Sequence, residues 1–563
     1  MLETIIKTII FVALLVGAII YYKRTKSEKY NVFRVLIGVV VLFMVLSYLI
    51  PGSMIDYNYG TVNDDAVVPM SITSLFNNIS TALNLSITMI VYLAIVGIFY
   101  AIIKKAGKYE GLVDNTAYAF KKNKALFIVL TITVLGLFSS FTGEIISLLI
   151  FVPFLISVIR RLGYSKEVSV ISTVGALLLG QAGAVYSSYL FKSLNITYSD
   201  NMLSKIVITA IVLVFLIAFI LLFNKKPQPE KEIVKSKETK LLPIYITFGV
   251  VFVLLFMGFF PWGAYFGMTG FEDFLTSIRE AEFLKVSIFD SIVGNSTAIA
   301  AFGSWQLINA GVLFLVVDIV LAIVYKVWSI NVLVEGIKKA VPYMAITVLS
   351  YLVIVLAMNS GIYYTLTMGL TKTVINIFTV GATSILSALS ISEYTYATNF
   401  ALVAISSSAK FARDAESMNL ISVVYQSIYS LFMIVSPVSV LLLFGLHYTD
   451  IKFKDWLKYI LKFFGVLLVT ILVAVKVIIG PFDTISAIAV TLLVVGLIII
   501  VYLFVVKATT TVAYKQVKKL EAKEKEEKEE AVVEEKVEEK PVKKVAKKPA
   551  TKKTTTTKKV TKK

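Results

Sequence analysis

The chain has no cysteine and a single histidine, His447, in 563 residues. Disulfides, thiolate zinc sites and haem attachment are thereby excluded, and a His-centred acid–base mechanism has almost no parts to work with. Charged residues make up only 16% of the chain. The sequence holds no Gly-rich phosphate loop with its Lys and no Ser/His/Asp set, so a membrane-embedded enzyme and an ATP-driven pump are both disfavoured. Any chemistry here runs on carboxylates, hydroxyls, amides and backbone.

What the chain has in abundance is apolar length. It is 58% hydrophobic, its mean hydropathy is +0.84, and runs of about twenty apolar residues recur from end to end, which reads as an all-α polytopic membrane protein. Spans are expected near 5–22, 32–50, 85–103, 168–190, 204–223, 241–260, 304–325, 341–359, 420–444, 459–479 and 486–506. The first runs into YYKRTKSEK without a small-residue cleavage pattern and reads as an uncleaved anchor. Two longer segments, 125–159 and about 375–411, do not fit single spans. Segments near 108–121, 270–285 and 328–340 are amphipathic, and the last reads as a helix lying on the inner membrane surface.

The formal charge of +19 divides into two parts. Lys515 to Lys563 holds 18 Lys and 10 Glu, a net of +8, in a tail with no apolar face that could order it. No aromatic residues are interleaved with its lysines, so a nucleic-acid partner is not expected. The remainder lies mostly in short loops, 23–29, 104–124, 160–167, 224–240 and 447–458, which the positive-inside rule places in the cytoplasm. Segments 51–84 and 261–303 lean acidic. The N-terminus then lies outside the plasma membrane and the tail within the cell. The scheme closes only if both ends of 125–159 are cytoplasmic.

That condition bears on Glu144, the one charge inside the apolar run from Ala125 to Ile159. As one helix the run would be about 50 Å long, well over the roughly 30 Å hydrocarbon core. A re-entrant hairpin satisfies both length and flanks, with its tip at residues 139–144. Laying Thr142 on Thr395 without a gap pairs Leu149 with Leu402, Arg160 with Arg413, Ser169 with Ser422 and Val170 with Val423, and AGKY (106–109) falls close to SGIY (360–363). The first copy has basic flanks and the second mixed ones, as an inverted duplication requires. Expected domains are therefore an anchor and basic loop (1–30), a first repeat (31–223), a connecting region (224–303), a second repeat (304–480), a C-terminal span (481–510) and a disordered cytoplasmic tail (511–563).

YLIPG (48–52), Pro153 in the hairpin's returning arm, the LGY turn after it, and above all VVYQSIYSLFMIVSPVSVLLLFGLHYTDIKFKDWLKYIL (423–461) resemble the YfcC-type carrier family. That family belongs to the ion-transporter superfamily, with the C4-dicarboxylate, short-chain fatty acid and aminobenzoyl-glutamate carriers. The resemblance covers roughly residues 32–480. It implies an ion-coupled carrier or exchanger with two hairpins enclosing the substrate and ion sites, working as a homodimer. Members include arginine/ornithine exchangers and dicarboxylate carriers. The second tip here reads SEYTYATN (392–399) rather than Ser/Gly-rich, which leaves substrate and coupling ion open.

Candidate site residues follow from the tips and from polar groups in mid-span. They are Thr142, Gly143 and Glu144 at the first tip and Glu393, Thr395, Thr398 and Asn399 at the second. Gln181 and Gln426 lie in the spans after each hairpin, and Ser436 and Ser439 flank Pro437. A buried carboxylate needs an offsetting cation, a bound ion or a cationic solute. The hydroxyl and amide oxygens suit Na⁺, so Na⁺ or H⁺ is the expected coupling ion, with no other cofactor or metal. The expected function is secondary active transport of a small charged organic solute, an amino acid such as arginine or ornithine. Carboxylate transport and a passive channel are the alternatives. Asp318, the sole charge in its span and toward its cytoplasmic end, reads as a structural pair or a snorkelling carboxylate, and Lys410 could face either an anionic solute or the outer headgroups.

Overall fold

Short polar caps set the limits of long apolar helices. A computed structural model of the chain describes residues 31–50, 54–56, 61–63, 70–185, 201–283, 286–287, 299–406 and 415–479, apart from a few linker positions within 225–239, and isolated positions elsewhere. Save for such positions, the expected anchor over 5–22, the span 486–506, the tail, and Lys410 lie outside the described residues.

Helix α1 spans Asn31–Leu46 and α2 spans Ile72–Lys105, where Ser71 caps the start by accepting from the Ser74 amide and Lys104 and Lys105 close the end. At 34 residues α2 far exceeds the span expected over 85–103; with about 1.5 Å of rise per residue it is about 51 Å long. After α3 (Tyr109–Ala119), α4 runs Lys124–Thr142, a 3-10 turn covers Ser147–Ile150, and α5 spans Val152–Arg161. Helix α6 occupies 166–183. It contains a π turn at Ile171–Gly175 and tightens into a 3-10 turn at Gln181–Gly183, so the span expected over 168–190 ends early. Then come α7 (Met202–Phe223), α8 (Leu242–Phe259), and the short α9 (Trp262–Phe266) and α10 (Gly270–Glu280).

The second half begins with α11 (Leu307–Val324) and α12 (Ile330–Asn359). A separate surface helix over 328–340 is not found. Ser329 caps a single 30-residue helix that continues through Pro342. Helices α13 (Ile362–Thr371), α14 (Ile377–Ser390) and α15 (Tyr394–Ser406) follow. Helix α16 (415–433) carries its own π turn at Ile421–Tyr425, and α17 (Val440–Thr449) and α18 (Phe453–Ile479) complete the described chain. The span expected over 420–444 is thus interrupted at 434–439, where Pro437 supplies no amide hydrogen. Two short antiparallel strand pairs, Met54–Asp56 with Thr61–Asn63 and Glu282–Phe283 with Val286–Ser287, interrupt the all-α pattern in the loops.

Seven described helices are long and apolar enough to cross a membrane, and they turn Leu, Ile and Val side chains outward. The chain is a membrane-embedded helical protein. Helices α2 and α12 pack along each other so closely that a Cβ on Gly97 would stand 2.5 Å from the Gly336 carbonyl oxygen. A second group joins α4, α6, α7 and α16.

The segment 125–159 does fold back on itself. Lys124 Nζ donates to the Pro227 carbonyl at 3.5 Å and Arg161 donates to the Lys231 and Glu232 carbonyls at 3.4 and 3.1 Å, so both ends of the hairpin meet one linker. The same linker reaches the other basic segments through Lys108–Glu238 at 2.6 Å and the Gln228 amide on the Gly163 carbonyl at 2.9 Å. Gly163, in the LGY turn, has a φ of +97°, and a Cβ there would stand 2.3 Å from the Pro229 nitrogen.

Candidate functional site

The first hairpin tip is made by one left-handed residue. Thr142 Oγ1 donates back to the Phe138 carbonyl and accepts from the Glu144 amide at 3.1 Å, and Gly143, at φ +73°, turns the chain out of α4. The returning arm then starts with unpaired amides, and Glu144 Oε1 accepts two of them, from Ile146 at 2.7 Å and Ser147 at 2.9 Å. The second tip repeats the device: Glu393 Oε2 accepts from the Tyr396 amide at 2.9 Å in the first turn of α15. Both glutamates are half-buried, and the charge of Glu393 is felt at Glu144. Each candidate carboxylate therefore also serves as a helix cap, a role that the sequence pattern alone does not reveal.

A row of tyrosine hydroxyls fastens the first returning arm to α2 and α3. Tyr92 donates to the Ser147 carbonyl and Tyr100 to the Ile150 carbonyl, each at 2.5 Å. Tyr100 also accepts from the Phe154 amide at 3.2 Å, so its hydroxyl sits between a carbonyl and an amide that would pair directly in a regular helix. Tyr109 donates to the Pro153 carbonyl at 3.3 Å.

Gln181 and Gln426 meet. Gln181 Nε2 donates to the Gly143 carbonyl at 2.9 Å, tying the end of α6 to the first tip. Gln426 Nε2 donates to the carbonyls of Gln181 and Ala184, both at 3.0 Å, and so joins α16 to that same end. Lys205 Nζ in turn donates to Gln426 Oε1 at 3.1 Å. Lys205 is 1% exposed and was not among the sequence candidates. It is a lone cation in the apolar run 204–223, the same signal that singles out Glu144, but it stands at the start of that run, where a lysine ordinarily reaches the headgroups.

The other candidates divide. Ser436 Oγ donates to the Ala388 carbonyl of α14 at 2.6 Å and accepts from the Val438 amide, so it holds the break after α16 against the second hairpin. Ser439 and Thr398 are fully buried, and their hydroxyls have no hydrogen-bond partner among the described residues. Asn399 is half-buried and Thr395 is exposed. Asp318 is 3% exposed with both carboxylate oxygens unpartnered among the described residues; the structural pair expected for it is not found.

Two cavities lie nearer the basic end. One, of about 310 Å³, is bounded by α2, the first returning arm, α12 and α17, with Tyr100, Lys104, Pro153, Lys339, Tyr343 and Tyr448 in its wall. The other, of about 560 Å³, is polar, shares Tyr448, and includes Asp114, Arg160, Arg161 and Asp450. Neither wall includes Glu144 or Glu393.

No family model matches the chain. No curated protein matches it either. Among solved structures it is similar to the Alcanivorax borkumensis YdaH transporter, at 13% sequence identity and a TM-score of 0.38, over 81% of this chain and 99% of that one.

Proposed function

We propose that this chain is a secondary active transporter built from two inverted repeats, α1 to α7 and α11 to α18, whose hairpin tips hold a small charged organic solute. The observation that carries this reading is the pair of tips. Each ends a helix, each turns at a glutamate that caps the returning arm, and the two carboxylates stand within electrostatic reach of one another. Backbone that leaves the helix within an apolar segment is sustained where it is buried in protein or lines a polar cavity. The matching π turns in α6 and α16, directly after each hairpin, support the duplication.

Two carboxylates within electrostatic reach favour a cationic or zwitterionic amino acid such as arginine or ornithine, in line with the YfcC-type resemblance of residues 423–461. Unpartnered hydroxyls at Thr398 and Ser439 offer oxygens to the solute or to a coupling Na⁺. The end at which 104–124, 160–167 and the 227–240 linker meet is assigned to the cytoplasm by its lysines and arginines.

The test is radiolabelled uptake into proteoliposomes preloaded with ornithine, with arginine set against succinate, with and without a Na⁺ gradient. Glu144→Gln is the informative variant, because the amide oxygen can still accept from Ile146 and Ser147 while the charge is gone. Arginine uptake that requires internal ornithine and collapses in Glu144→Gln is the expected result. Na⁺-driven succinate uptake that survives the substitution would return Glu144 to its capping role and make the chain a carboxylate carrier. Uptake that never exceeds the solute gradient would make it a channel.

A further inference from the structure

The end of α6 contains the four carbonyls that a broken helix would offer to a cation, and a side-chain donor stands against each. Gln181 O and Ala184 O accept from Gln426 Nε2, and Ala182 O stands 3.0 Å from Ser427 Oγ, whose single proton is shared with the Val423 carbonyl at 2.6 Å. Gly183 O accepts from Ser140 Oγ and Thr209 Oγ1, both at 2.9 Å. The donors come from α4, α7 and α16, so the break is closed from three sides. Space is equally short: a Cβ on Gly183 would stand 2.3 Å from the Lys205 carbonyl oxygen and 2.4 Å from Thr209 Oγ1.

Hydrogen bonds satisfy the carbonyls but do not remove the field of the helix end, which is equivalent to about half a negative charge. In an apolar segment that field attracts a cation more strongly than it would in water. The cation at this position is Lys205. Its ammonium is buried and bonded to Gln426 Oε1, and the other end of the same amide donates to the carbonyls of Gln181 and Ala184. The amide thus lies between the ammonium and the helix end with its dipole aligned to both. Adjacent residues extend the seam between the halves, with Asn201 Nδ2 donating to Ser422 Oγ at 3.2 Å.

We infer that Lys205 is a tethered cation held behind the break of α6 at Gln426 Oε1, occupying the place beside that amide oxygen that a free monovalent cation would otherwise take, while the side-chain donors close carbonyls 181–184 to Na⁺ in the wild-type chain. The inference goes beyond the transport reading and does not depend on it, since its readouts need no transported solute. Under that reading it has a consequence: a coupling Na⁺ must be held at the second half of the molecule or at the tips, and not at this node.

The test uses the full chain in detergent, with thermal unfolding followed across a series in which NaCl replaces choline chloride at constant ionic strength. Lys205→Ala is expected to melt well below wild type in choline and to regain several degrees as Na⁺ replaces it, a larger Na⁺-dependent rise than wild type shows. Lys205→Arg, which keeps a cation, should respond to Na⁺ as wild type does. An Na⁺ response in Lys205→Ala equal to that of wild type would overturn the inference. If Lys205→Ala does not yield folded protein, Lys205→Gln replaces it under the same criterion. The wild type gives an independent answer through thallium(I), a monovalent, K⁺-sized probe for carbonyl sites: anomalous density among carbonyls 181–184 would overturn the inference, and its absence there is the expected result.

Discussion

Two breaks among the described helices, the end of α6 at 181–184 and the stretch after α16 at 434–439, are finished in opposite ways. At the first, a side-chain donor stands against each carbonyl from Gln181 to Ala184, and a buried lysine stands behind the amide that serves two of them. At the second, Trp456 Nε1 donates to the Ile434 carbonyl at 2.8 Å and Ser436 secures the turn, but the hydroxyls of Ser439 and, nearby in sequence, Ser430 are buried without a partner among the described residues. Thr398, on the second returning arm, is in the same condition. An unpaired buried hydroxyl costs about 1–3 kcal/mol. Such a cost is tolerated where something else uses the group. The first break is a joint between the two halves of the chain, and the second keeps the unpartnered hydroxyls that the proposed transport site would use.

The largest expected effect follows from treating the first break as a joint. Gln426→Leu removes three hydrogen bonds at once, stripping a donor from the Ala184 carbonyl, leaving the Gln181 carbonyl with the Ala184 amide, and taking an amide partner from a buried ammonium. We expect a loss of about 3 kcal/mol or more, visible as a lower midpoint of thermal or denaturant unfolding in detergent. A variant as stable as wild type would mean that water or lipid replaces the amide, and the contrast between the breaks would fail. The opposite pattern is expected at the second break. Ser439→Ala and Thr398→Val remove hydroxyls that satisfy nothing in the described structure, so stability should hold within about 1 kcal/mol or rise. Uptake by the same variants should fall about tenfold, the loss of roughly one good hydrogen bond to a solute or ion. Stability that falls while uptake is kept would make these hydroxyls structural and reverse the assignment.

How much of this was legible in the sequence depends on which signal each feature leaves. The hairpin at 125–159 was legible because a lone carboxylate and two basic flanks constrain one apolar run, and the structure turns it at Gly143 and Glu144. The pairing of Gln181 with Gln426 was half legible: each amide stands out in its span, but nothing in a linear pattern says that they meet across the two halves. Lys205 was missed because a lysine at the edge of a span is the usual snorkelling cation; only its burial distinguishes it. The fusion of 328–340 with 341–359 was missed because Pro342 reads as a boundary, while α2 packed against that helix sustains a single continuous element. The capping roles of Glu144 and Glu393 depend on where backbone amides point, and side-chain chemistry alone does not carry that information.

The smallest expected effect sharpens a second contrast, between the two returning arms. The first arm is fastened to its neighbours through Tyr92, Tyr100 and Tyr109, each donating to a backbone carbonyl between Ser147 and Pro153. On the second arm, Tyr351 of α12 meets Tyr396 edge-on with ring centroids 6.4 Å apart, and among the described residues no tyrosine hydroxyl of α12 donates to the backbone of α15. If the tyrosine row is what fixes the first arm, Tyr100→Phe should free the Phe154 amide and the Ile150 carbonyl at a cost of about 1 kcal/mol, too little to change global stability much. Amide exchange at Phe154 should then quicken about fivefold, with the α4 amides unchanged, because opening is local to the arm. Exchange that quickens throughout both hairpins would show that Tyr100 supports the whole tip region, and the two arms would then be fastened as one unit instead of separately.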